Sequence, residues 1–381
     1  MTKLQSRVLT GVFLVMIFGC TGASLLKRDT SFSEKENRIL AQMPELNLKD
    51  ILSGTFEKNY ETYLSDQFFW RDGWIGVKTK AERAEGKTEI NDVYFAKDGY
   101  LIEKHSGSFD TDTAKNNITY LGNFLKSQEQ KVGAGHVKAM IVPNAVEILK
   151  DKLPSYAVAD EEGAYLNHIR AQIPEELLFD AEPILDAHKE EQIYYKTDHH
   201  WKTLAARYVY EAWAESIDLP IVPLSEYREE TLTTDFHGTI DAKVNINVPG
   251  DSIESYQPVT EIPYTLTYNH SEERTSLYDT SYLEGRDKYA VFFGGNQPLI
   301  EARTRAVSDR KLLIIKDSYA NCFLSFAMQD FSQIDIVDLR YFNENLGDYM
   351  KDKDYTDICV LYNAAGFAED SSVAKLALAT D

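Results

Sequence analysis

The sequence predicts an α/β fold in which helices flank a doubly wound parallel sheet. Short apolar runs of strand length recur along the chain, and stretches of helical composition separate them. Parallel strands need crossover segments of this kind, so the alternation favours a parallel sheet over a hairpin-rich one. The predicted strands of the sheet are Val137–Val142, Leu177–Asp180, Tyr289–Phe293, Lys311–Ile315, Ile334–Leu339 and Ile358–Tyr362.

Outside the predicted strands, the sequence predicts one hairpin and five helices. Four of the helices lie before residue 221 and one lies after it. The hairpin joins two short apolar runs, Val93–Phe95 and Tyr100–Ile102, through the turn residues Lys97-Asp98-Gly99. The predicted helices share amphipathic spacing or good helix formers and cover Asn59 to about Glu85, Thr113–Gln130, Tyr165–Ile173, Thr203–Ile217 and Ala320–Met328.

Residues 221–288 have a different character, because Thr, Tyr, Asn and Pro become frequent and alternating runs replace the apolar ones. The runs Val244–Val248 and Tyr264–Tyr268 alternate with period two, which is typical of strands. We therefore predict a β-rich insertion at about 221–288. Because loops and insertions at the rim of a sheet commonly carry binding residues, we expect this insertion to shape the substrate cleft.

Composition limits the classes of protein to which the chain can belong. Its 381 residues are 43% hydrophobic, which is enough for a substantial core, and its formal net charge is −21. Such acidity argues against a nucleic-acid partner, since binding phosphates needs a basic surface. With Cys20, Cys322 and Cys359 as its only cysteines, the chain is neither a disulfide scaffold nor a cysteine-based zinc protein. We expect Cys322 and Cys359 to be buried thiols.

The N-terminus contains an apolar run with basic residues on both sides. Lys3 and Arg7 precede the uncharged stretch Val8–Leu26, and Lys27-Arg28 close it. As a helix this stretch is about 28 Å long, close to the roughly 30 Å hydrocarbon core of a bilayer. A membrane anchor, a signal peptide and a lipoprotein signal ending at Cys20 all fit, and each places residues 29–381 outside the cytoplasm.

The predicted domain organisation follows from these segments. Residues 1–28 form the membrane or signal segment, residues 29–90 a helical lead-in, and residues 91–381 a catalytic domain that contains the β-rich insertion.

Two stretches carry residues suited to acyl-transfer chemistry. The first is Lys196–Trp201, where Asp198 and His200 are two positions apart. On an extended backbone these side chains point the same way, so Asp198 would orient His200 as a general base. The alternative is structural, because Thr197 or Asp198 is also suited to cap the helix that follows.

The second stretch is the apolar run that ends at Lys316-Asp317-Ser318. A helix-compatible segment follows, so the Ser318 hydroxyl is predicted to lie at a strand-to-helix turn beside free backbone N–H groups. That is a favourable position for an acyl-transfer nucleophile. A serine that merely caps the helix is the structural alternative.

A metal site is the competing interpretation of the histidines. Asp198, His199 and His200, with His188 as a further candidate, offer ligand types that zinc accepts. We expect the side chains of adjacent histidines to diverge, and serine chemistry requires no metal. We therefore expect neither a metal nor a cofactor.

Together the two stretches resemble a known family. The Thr-Asp-x-His-Trp pattern, followed by a strand ending in Asp-Ser-Tyr, is similar to the AlgJ/AlgX-type polysaccharide (alginate) O-acetyltransferases. The literal Asp198-His199-His200-Trp201 resembles the DHHW branch of this SGNH-hydrolase-like group. The resemblance implies an SGNH-hydrolase-like fold with a catalytic triad of Ser318, His200 and Asp198. Lys316 stands where the alginate branch has Gly.

By analogy with the Gly and Asn donors of SGNH hydrolases, three further residues are candidates for oxyanion or substrate contacts. They are Gly295, Asn296 and Asn363, which follow predicted strands. No motif match fixes these three positions.

The resemblance also implies the kind of reaction and its partners. We expect an extracytoplasmic O-acetyltransferase that modifies an exopolysaccharide or cell-wall polysaccharide, with a membrane-bound O-acyltransferase supplying the acetyl group. A polysaccharide acetyl esterase uses the same acyl-enzyme and differs only in whether water attacks it. A polysaccharide-binding or assembly protein without turnover is the third alternative.

Overall fold

The computed structural model describes residues 2–33, 38–157, 160–246 and 248–380. The chain divides into two compact units, one formed by Met1–Ile90 with Asp241–Asn247 and the other by Asn91–Ile240 with Val248–Asp381. The second unit contains the large sheet and all the candidate catalytic residues.

The helices of the described residues are the following, in chain order: α1 Lys3–Leu26, α2 Leu48–Leu52, α3 Thr55–Asp66, α4 Arg71–Ala84, α5 Asp112–Val132, α6 Ala145–Ile148, α7 Asp160–Gln172, α8 Glu182–Ala187, α9 Thr203–Ser216, α10 Thr239–Val244, α11 Ala320–Ala327, α12 Leu346–Met350 and α13 Ala364–Glu369. The strands are β1 Phe32–Ser33, β2 Arg38–Ile39, β3 Glu89–Ile90, β4 Val93–Phe95, β5 Leu101–Glu103, β6 Val137–Val142, β7 Tyr227–Phe236, β8 Asp251–Pro258, β9 Tyr264–Tyr268, β10 Glu272–Arg274, β11 Leu299–Thr304, β12 Lys311–Lys316, β13 Gln333–Val337 and β14 Asp357–Asn363.

The helix α1 contains the predicted apolar run. Among the described residues it alone is long and apolar enough to cross a membrane, by length and composition. Signal anchors and signal sequences share this length, composition and place near the N-terminus. The predicted helix from Asn59 to Glu85 is divided in two, because α3 ends at Asp66 and Trp70, which precedes α4, has a left-handed backbone with φ 55°.

The second unit is built on a seven-stranded sheet in the order β10-β9-β11-β13-β12-β14-β6. Strands β13, β12, β14 and β6 run parallel, with Ile314 of β12 opposite Ile336 and Cys359. Strands β11, β9 and β10 extend this sheet with antiparallel pairings. The sheet is therefore mixed, whereas the sequence predicts a parallel one.

Apolar side chains cover both faces of the sheet. Leu312 and Ile314 of β12 belong to a core cluster that includes residues of α9 and α11. The intervening Leu313 and Ile315 belong to a second cluster that includes residues of α5, α7 and α13. Because side chains alternate along a strand, an unbroken apolar run is what a strand with two covered faces requires. Cys322 and Cys359 are buried free thiols, as predicted.

Two of the six predicted sheet strands do not form. At Leu177–Asp180, a 3₁₀ turn follows Pro174, and only Leu178 makes a single parallel bridge, to Ala139 of β6. At Tyr289–Phe293, a 3₁₀ turn covers Lys288–Val291 and the backbone becomes left-handed at Phe293, with φ 60°. A left-handed residue interrupts the extended backbone that a strand needs.

The predicted β-rich insertion is only partly separate from the sheet. Strands β7 and β8 pair antiparallel with each other, whereas β9 pairs with β11 and belongs to the large sheet. The predicted strand Val244–Val248 is wrong, since α10 extends to Val244 and Asn245 is left-handed with φ 49°. Asn247 lies outside the described residues.

The carboxyl ends of three parallel strands bring polar residues to one edge of the sheet. Ser318 follows β12, Asn363 ends β14, and Asn144 follows β6. Parallel strands place their carboxyl ends on the same side, where ligand sites of open α/β sheets form. The candidate site is at this edge.

Candidate active site

Ser318 lies in the tight turn between β12 and α11. The Asp317 carboxylate fixes this turn by accepting hydrogen bonds from the backbone N–H groups of Tyr319 and Asn363, both at 2.8 Å. Lys316 has no left-handed backbone, so the turn forms without the glycine of the alginate branch. The residue that caps α11 is Tyr319, without a side-chain hydrogen bond, which removes the helix-cap explanation for Ser318.

Asp198 and His200 form a pair, but by a different geometry from the predicted extended backbone. Residues 196–200 are bent, and Asp198 Oδ1 accepts hydrogen bonds from both the backbone N–H of His200, at 3.0 Å, and its Nδ1, at 2.5 Å. An aspartate that bonds to the backbone two residues further on holds such a bend locally. Lys202 occupies the cap position of α9, so neither Thr197 nor Asp198 caps that helix.

A continuous hydrogen-bond chain joins the two stretches. His200 Nε2 lies 2.8 Å from Ser318 Oγ, and its Nδ1 faces Asp198. The residues Asp198, His200 and Ser318 are 3%, 5% and 9% exposed, so water is largely excluded from their hydrogen bonds. A nucleophile, a base and an orienting carboxylate within hydrogen-bond reach have the geometry of a catalytic triad.

Two reciprocal hydrogen bonds hold the loop of His200 against the turn of Ser318. Trp201 Nε1 donates to the backbone oxygen of Tyr319 at 2.9 Å, and the Tyr319 hydroxyl donates to the backbone oxygen of His199 at 2.5 Å. Tyr289 completes the enclosure, because its ring stacks on His200 with 3.8 Å between the ring centroids, and its hydroxyl donates to the backbone oxygen of Ser318 at 3.2 Å. No local pattern in the sequence predicts these contacts of the aromatic residues.

The second oxygen of Asp198 is held by another loop that the sequence analysis did not identify. Asp198 Oδ2 accepts from the backbone N–H of Thr239 at 2.9 Å. Gly238 lets the chain pass this close, since a Cβ there would lie 2.2 Å from the Cβ of Asp198. Asp251 supports the loop from below by accepting from the N–H groups of Lys196 and Thr197. Gly238 was the feature of the sequence that could have indicated this close contact.

Burial and charge set the protonation of the pair. Burial favours the neutral form of Asp198, but the charges of His199 and His200 outweigh it and hold the pKa of that carboxyl well below its usual range. Burial lowers the pKa of His200 to about 4, assisted by the charge of His199 and opposed by Asp198. Near neutral pH, His200 is therefore an uncharged imidazole that can accept a proton.

The three candidates for oxyanion contacts have different surroundings. Asn363 is engaged in the framework, because its Nδ2 donates to Asp317 and its Oδ1 accepts from Asn144 Nδ2. Gly295 and Asn296 lie on the loop before β11, since the strand predicted ahead of them does not form. Gly295 has a left-handed backbone with φ 84° and donates its N–H to the Phe292 oxygen.

Two hydrogen-bond donors, the side-chain amide of Asn296 and the backbone N–H of Ser318, are candidates to contact an oxyanion. Lys316 is 2% exposed, and its Nζ donates to the side-chain oxygens of Asn321 at 2.8 Å and Asn296 at 3.2 Å. Burial lowers the pKa of Lys316 to about 8, against the effect of Asp338. Within the described ranges, neither Asn296 Nδ2 nor the Ser318 N–H donates to another residue.

The side chains of His199 and His200 do not diverge as predicted. The rings of His199 and His200 lie 3.9 Å apart, and ligand atoms of Asp198, His199 and His200 fall within 4.8 Å of one another. The side chains of His199 and His200 therefore converge, and the predicted divergence is wrong. However, Asp198 and Ser318 occupy both nitrogens of His200, and His199 Nδ1 lies 2.8 Å from Thr239 Oγ1. A metal ion here would have to displace these hydrogen bonds.

A family model described as DHHW protein matches residues 108–337, which include Asp198-His199-His200-Trp201 and Ser318. The chain belongs to the DHHW family. Among solved structures, it is similar to a DHHW family protein from Eubacterium siraeum, with 26% identity and a TM-score of 0.62 over 75% of this chain and 95% of that one.

Two further structures have lower sequence identity. PatB1 of Bacillus cereus, solved with a sulfonyl adduct, shares 19% identity at a TM-score of 0.59, over 74% of this chain and 99% of that one. The O-acetyltransferase domain of Pseudomonas putida AlgJ shares 12% sequence identity at a TM-score of 0.47, over 73% of this chain and 92% of that one. No curated protein matches the chain. The similarity to the Eubacterium siraeum protein shows that the fold of this DHHW family member covers 75% of this chain, and PatB1 shares that fold.

Replacing Gly238 by alanine tests the support of Asp198. The added methyl group would displace the carboxylate, and a misplacement of about 1 Å costs on the order of 100-fold in kcat/KM. We expect such a loss in the hydrolysis of a chromogenic acetyl ester. Gly122→Ala is the matched control, because its Cβ would meet only Ile173 at 3.6 Å. A folded Gly238→Ala protein with normal activity would show that this contact is not needed.

The pH dependence of kcat/KM tests the state of His200. This parameter reports the pKa of the essential base in the free enzyme. If His200 is this base, its pKa of about 4 keeps it unprotonated, and activity should persist as the pH falls from 7 to 5. We expect the acidic limb to have its midpoint near pH 4. A midpoint at the ordinary histidine value would contradict the effect of burial.

Proposed function

We propose that this protein is an extracytoplasmic O-acetyltransferase that modifies a polysaccharide through an acyl-enzyme on Ser318. The observation that carries the proposal is the buried hydrogen-bond chain from Asp198 through His200 to Ser318. Residues packed only for stability seldom form an acid, a base and an accessible hydroxyl in this order. The proposal is also supported because neither Asp198 nor Ser318 caps the helix that follows it.

The first half of the reaction forms the acyl-enzyme. His200 Nε2 takes the proton of Ser318 Oγ as this oxygen attacks the acetyl carbonyl carbon of the donor. Asp198 keeps the remaining ring proton on Nδ1 and stabilises the imidazolium. The Ser318 N–H and Asn296 Nδ2 are our candidates to stabilise the oxyanion. Collapse of the tetrahedral intermediate breaks the bond to the leaving group, which takes the proton from His200.

The second half transfers the acetyl group. His200 removes the proton from a sugar hydroxyl, whose oxygen attacks the acyl carbon and releases Ser318. The proton returns to the serine oxygen, so the enzyme is regenerated and one O-acetyl sugar has formed. With water as the acceptor the same steps release acetate, and the protein would be an esterase. No step requires a metal or a cofactor.

The acceptor and the location rest on other observations. The motif resemblance supports a polysaccharide acceptor and an acetyl donor relayed by a membrane-bound O-acyltransferase. The apolar α1 with basic flanks supports a location outside the cytoplasm, anchored or secreted. Neither a nucleic-acid partner nor a bound ion enters the proposal.

Trapping the acyl-enzyme tests the proposal directly. After brief incubation with an activated acetyl ester and an acid quench, peptide mass spectrometry should find one acetyl group on Ser318. Ser318→Ala should abolish the adduct and lower turnover by about 10⁴-fold or more, since a triad acts as a unit. The variant should fold, because the lost hydrogen bond to His200 is worth only about 0.5–1.5 kcal/mol.

Matched variants separate the alternatives. Ser325→Ala, in the neighbouring α11, should keep the adduct, because the Ser325 hydroxyl donates to the backbone oxygen of Cys322 within that helix and not to a residue of the Asp198–His200–Ser318 chain. His200→Ala should lower turnover about as much as Ser318→Ala. With an oligosaccharide present, acetylated sugar indicates a transferase, whereas acetate released regardless of the sugar indicates an esterase. A wild-type protein that binds polysaccharide without ever forming the adduct would refute the enzymatic proposal.

A further inference from the structure

Exposed apolar side chains are concentrated in the unit that contains α1. In the described part of the chain after α1, twelve large apolar side chains are exposed between residues 32 and 77, and only six between residues 91 and 380. Such a concentration in one stretch of the chain needs an explanation, whereas exposed apolar residues that are scattered singly do not. We define the aromatic triplet as Phe68, Phe69 and Trp70, which join α3 to α4 and are 37%, 43% and 57% exposed.

The aromatic triplet lies at the depth of the last turn of α1. The Phe69 backbone N–H donates to the Ser24 hydroxyl at 2.9 Å, and Ser24 is the third residue from the end of α1. The same region is fixed twice more. Gln67 exchanges two hydrogen bonds of 2.9 Å with the Thr30 backbone, and the Tyr63 hydroxyl donates to Asp29 at 3.1 Å.

Helix length places this turn at a membrane boundary if α1 crosses a bilayer. Its 24 residues span about 36 Å, roughly 6 Å more than a typical hydrocarbon core. Ser24 then falls at the border between acyl chains and headgroups, and Lys27 and Arg28 follow in the headgroup region. Aromatic side chains are enriched at this depth, and basic residues find phosphates there.

Trp70 is held in its exposed position by an unfavourable backbone. Its φ of 55° is in the left-handed region, which bulky residues rarely adopt. Gly73 makes room for the indole, because a Cβ there would lie 2.1 Å from the ring, and Trp74 packs against its edge at 5.6 Å. A conformation of this kind costs of order 1–3 kcal/mol and persists mainly where it serves a function.

We propose that the aromatic triplet is an interfacial membrane anchor that inserts into the lipid headgroup region beside the end of α1. Continuity with α1 favours a bilayer over a soluble partner, because hydrogen bonds to residues 24–30 fix the triplet beside the segment that leaves the membrane. The proposal goes beyond the acyl-transfer reaction and rests on retention of α1 in the mature protein. It would hold the start of the exported chain flat on the membrane surface.

Fluorescence quenching by brominated lipids tests the anchor on the full chain. The protein, in a Trp74→Phe background, is reconstituted in vesicles of phosphatidylcholine brominated near the headgroup end of the acyl chains, without any other protein. Trp70 is then the only tryptophan of its unit, since Trp201 and Trp213 are buried in the other one. We expect bromination to quench part of the emission and Trp70→Phe to remove most of this quenching.

The controls make each outcome decisive. Trp213→Phe in the same background should lower total emission but leave the quenched emission in place. Intact-mass measurement of the purified chain must show that α1 is present, and a mature chain cleaved before Ser24 overturns the proposal. Emission that brominated lipid does not quench, or quenching that survives Trp70→Phe in a protein with unchanged circular dichroism, also overturns it. None of these results depends on Ser318 chemistry.

Discussion

The candidate site depends on the pair of hydrogen bonds between the loop of Trp201 and the turn of Tyr319. These residues are 118 positions apart, and both are fully buried. Each bond satisfies a polar group that would otherwise be buried without a partner, at a cost of about 1–3 kcal/mol. The two bonds therefore stabilise the arrangement in which His200 Nε2 lies beside Ser318 Oγ.

A second constraint is the enclosure of Asp198. Its Oδ1 serves His200 and its Oδ2 serves the Thr239 N–H, so the carboxylate is fixed from two sides. The loop that provides the second contact approaches only because position 238 is a glycine. This rigidity matters for the proposed chemistry, since a base whose orienter is free to rotate loses the correct tautomer for part of the time.

Much of the fold could be predicted from local pattern. The run Val137–Val142 is a strand with the predicted bounds, and the predicted helices at residues 113, 165, 203 and 320 form within a few residues of those starts. The failures have local causes that composition hides. Tyr289–Phe293 is apolar enough for a strand, but the left-handed backbone from Phe293 to Gly295 prevents one. β11 was missed because Glu301 and Arg303 interrupt its apolar pattern.

Local pattern also predicts the candidate site only in part. Residue type and spacing identified Asp198, His200 and Ser318 as candidates, although the pair forms in a bend and not on an extended backbone. The long-range supports were not visible, since nothing near Trp201 indicates that its indole reaches Tyr319, or that Gly238 packs on Asp198. Such contacts join segments that are distant in sequence, and no local period encodes them.

The most direct measurement for this account is the rate at which a sulfonyl fluoride labels Ser318, followed by peptide mass spectrometry. If two segments assemble a base-activated serine, the label should appear on Ser318. Trp201→Phe, which removes the indole N–H together with part of a buried ring, should slow labelling at least fivefold to tenfold, the equivalent of about 1 kcal/mol for one hydrogen bond. Labelling of another serine, or an unchanged rate at Ser318 in folded Trp201→Phe protein, would contradict the account.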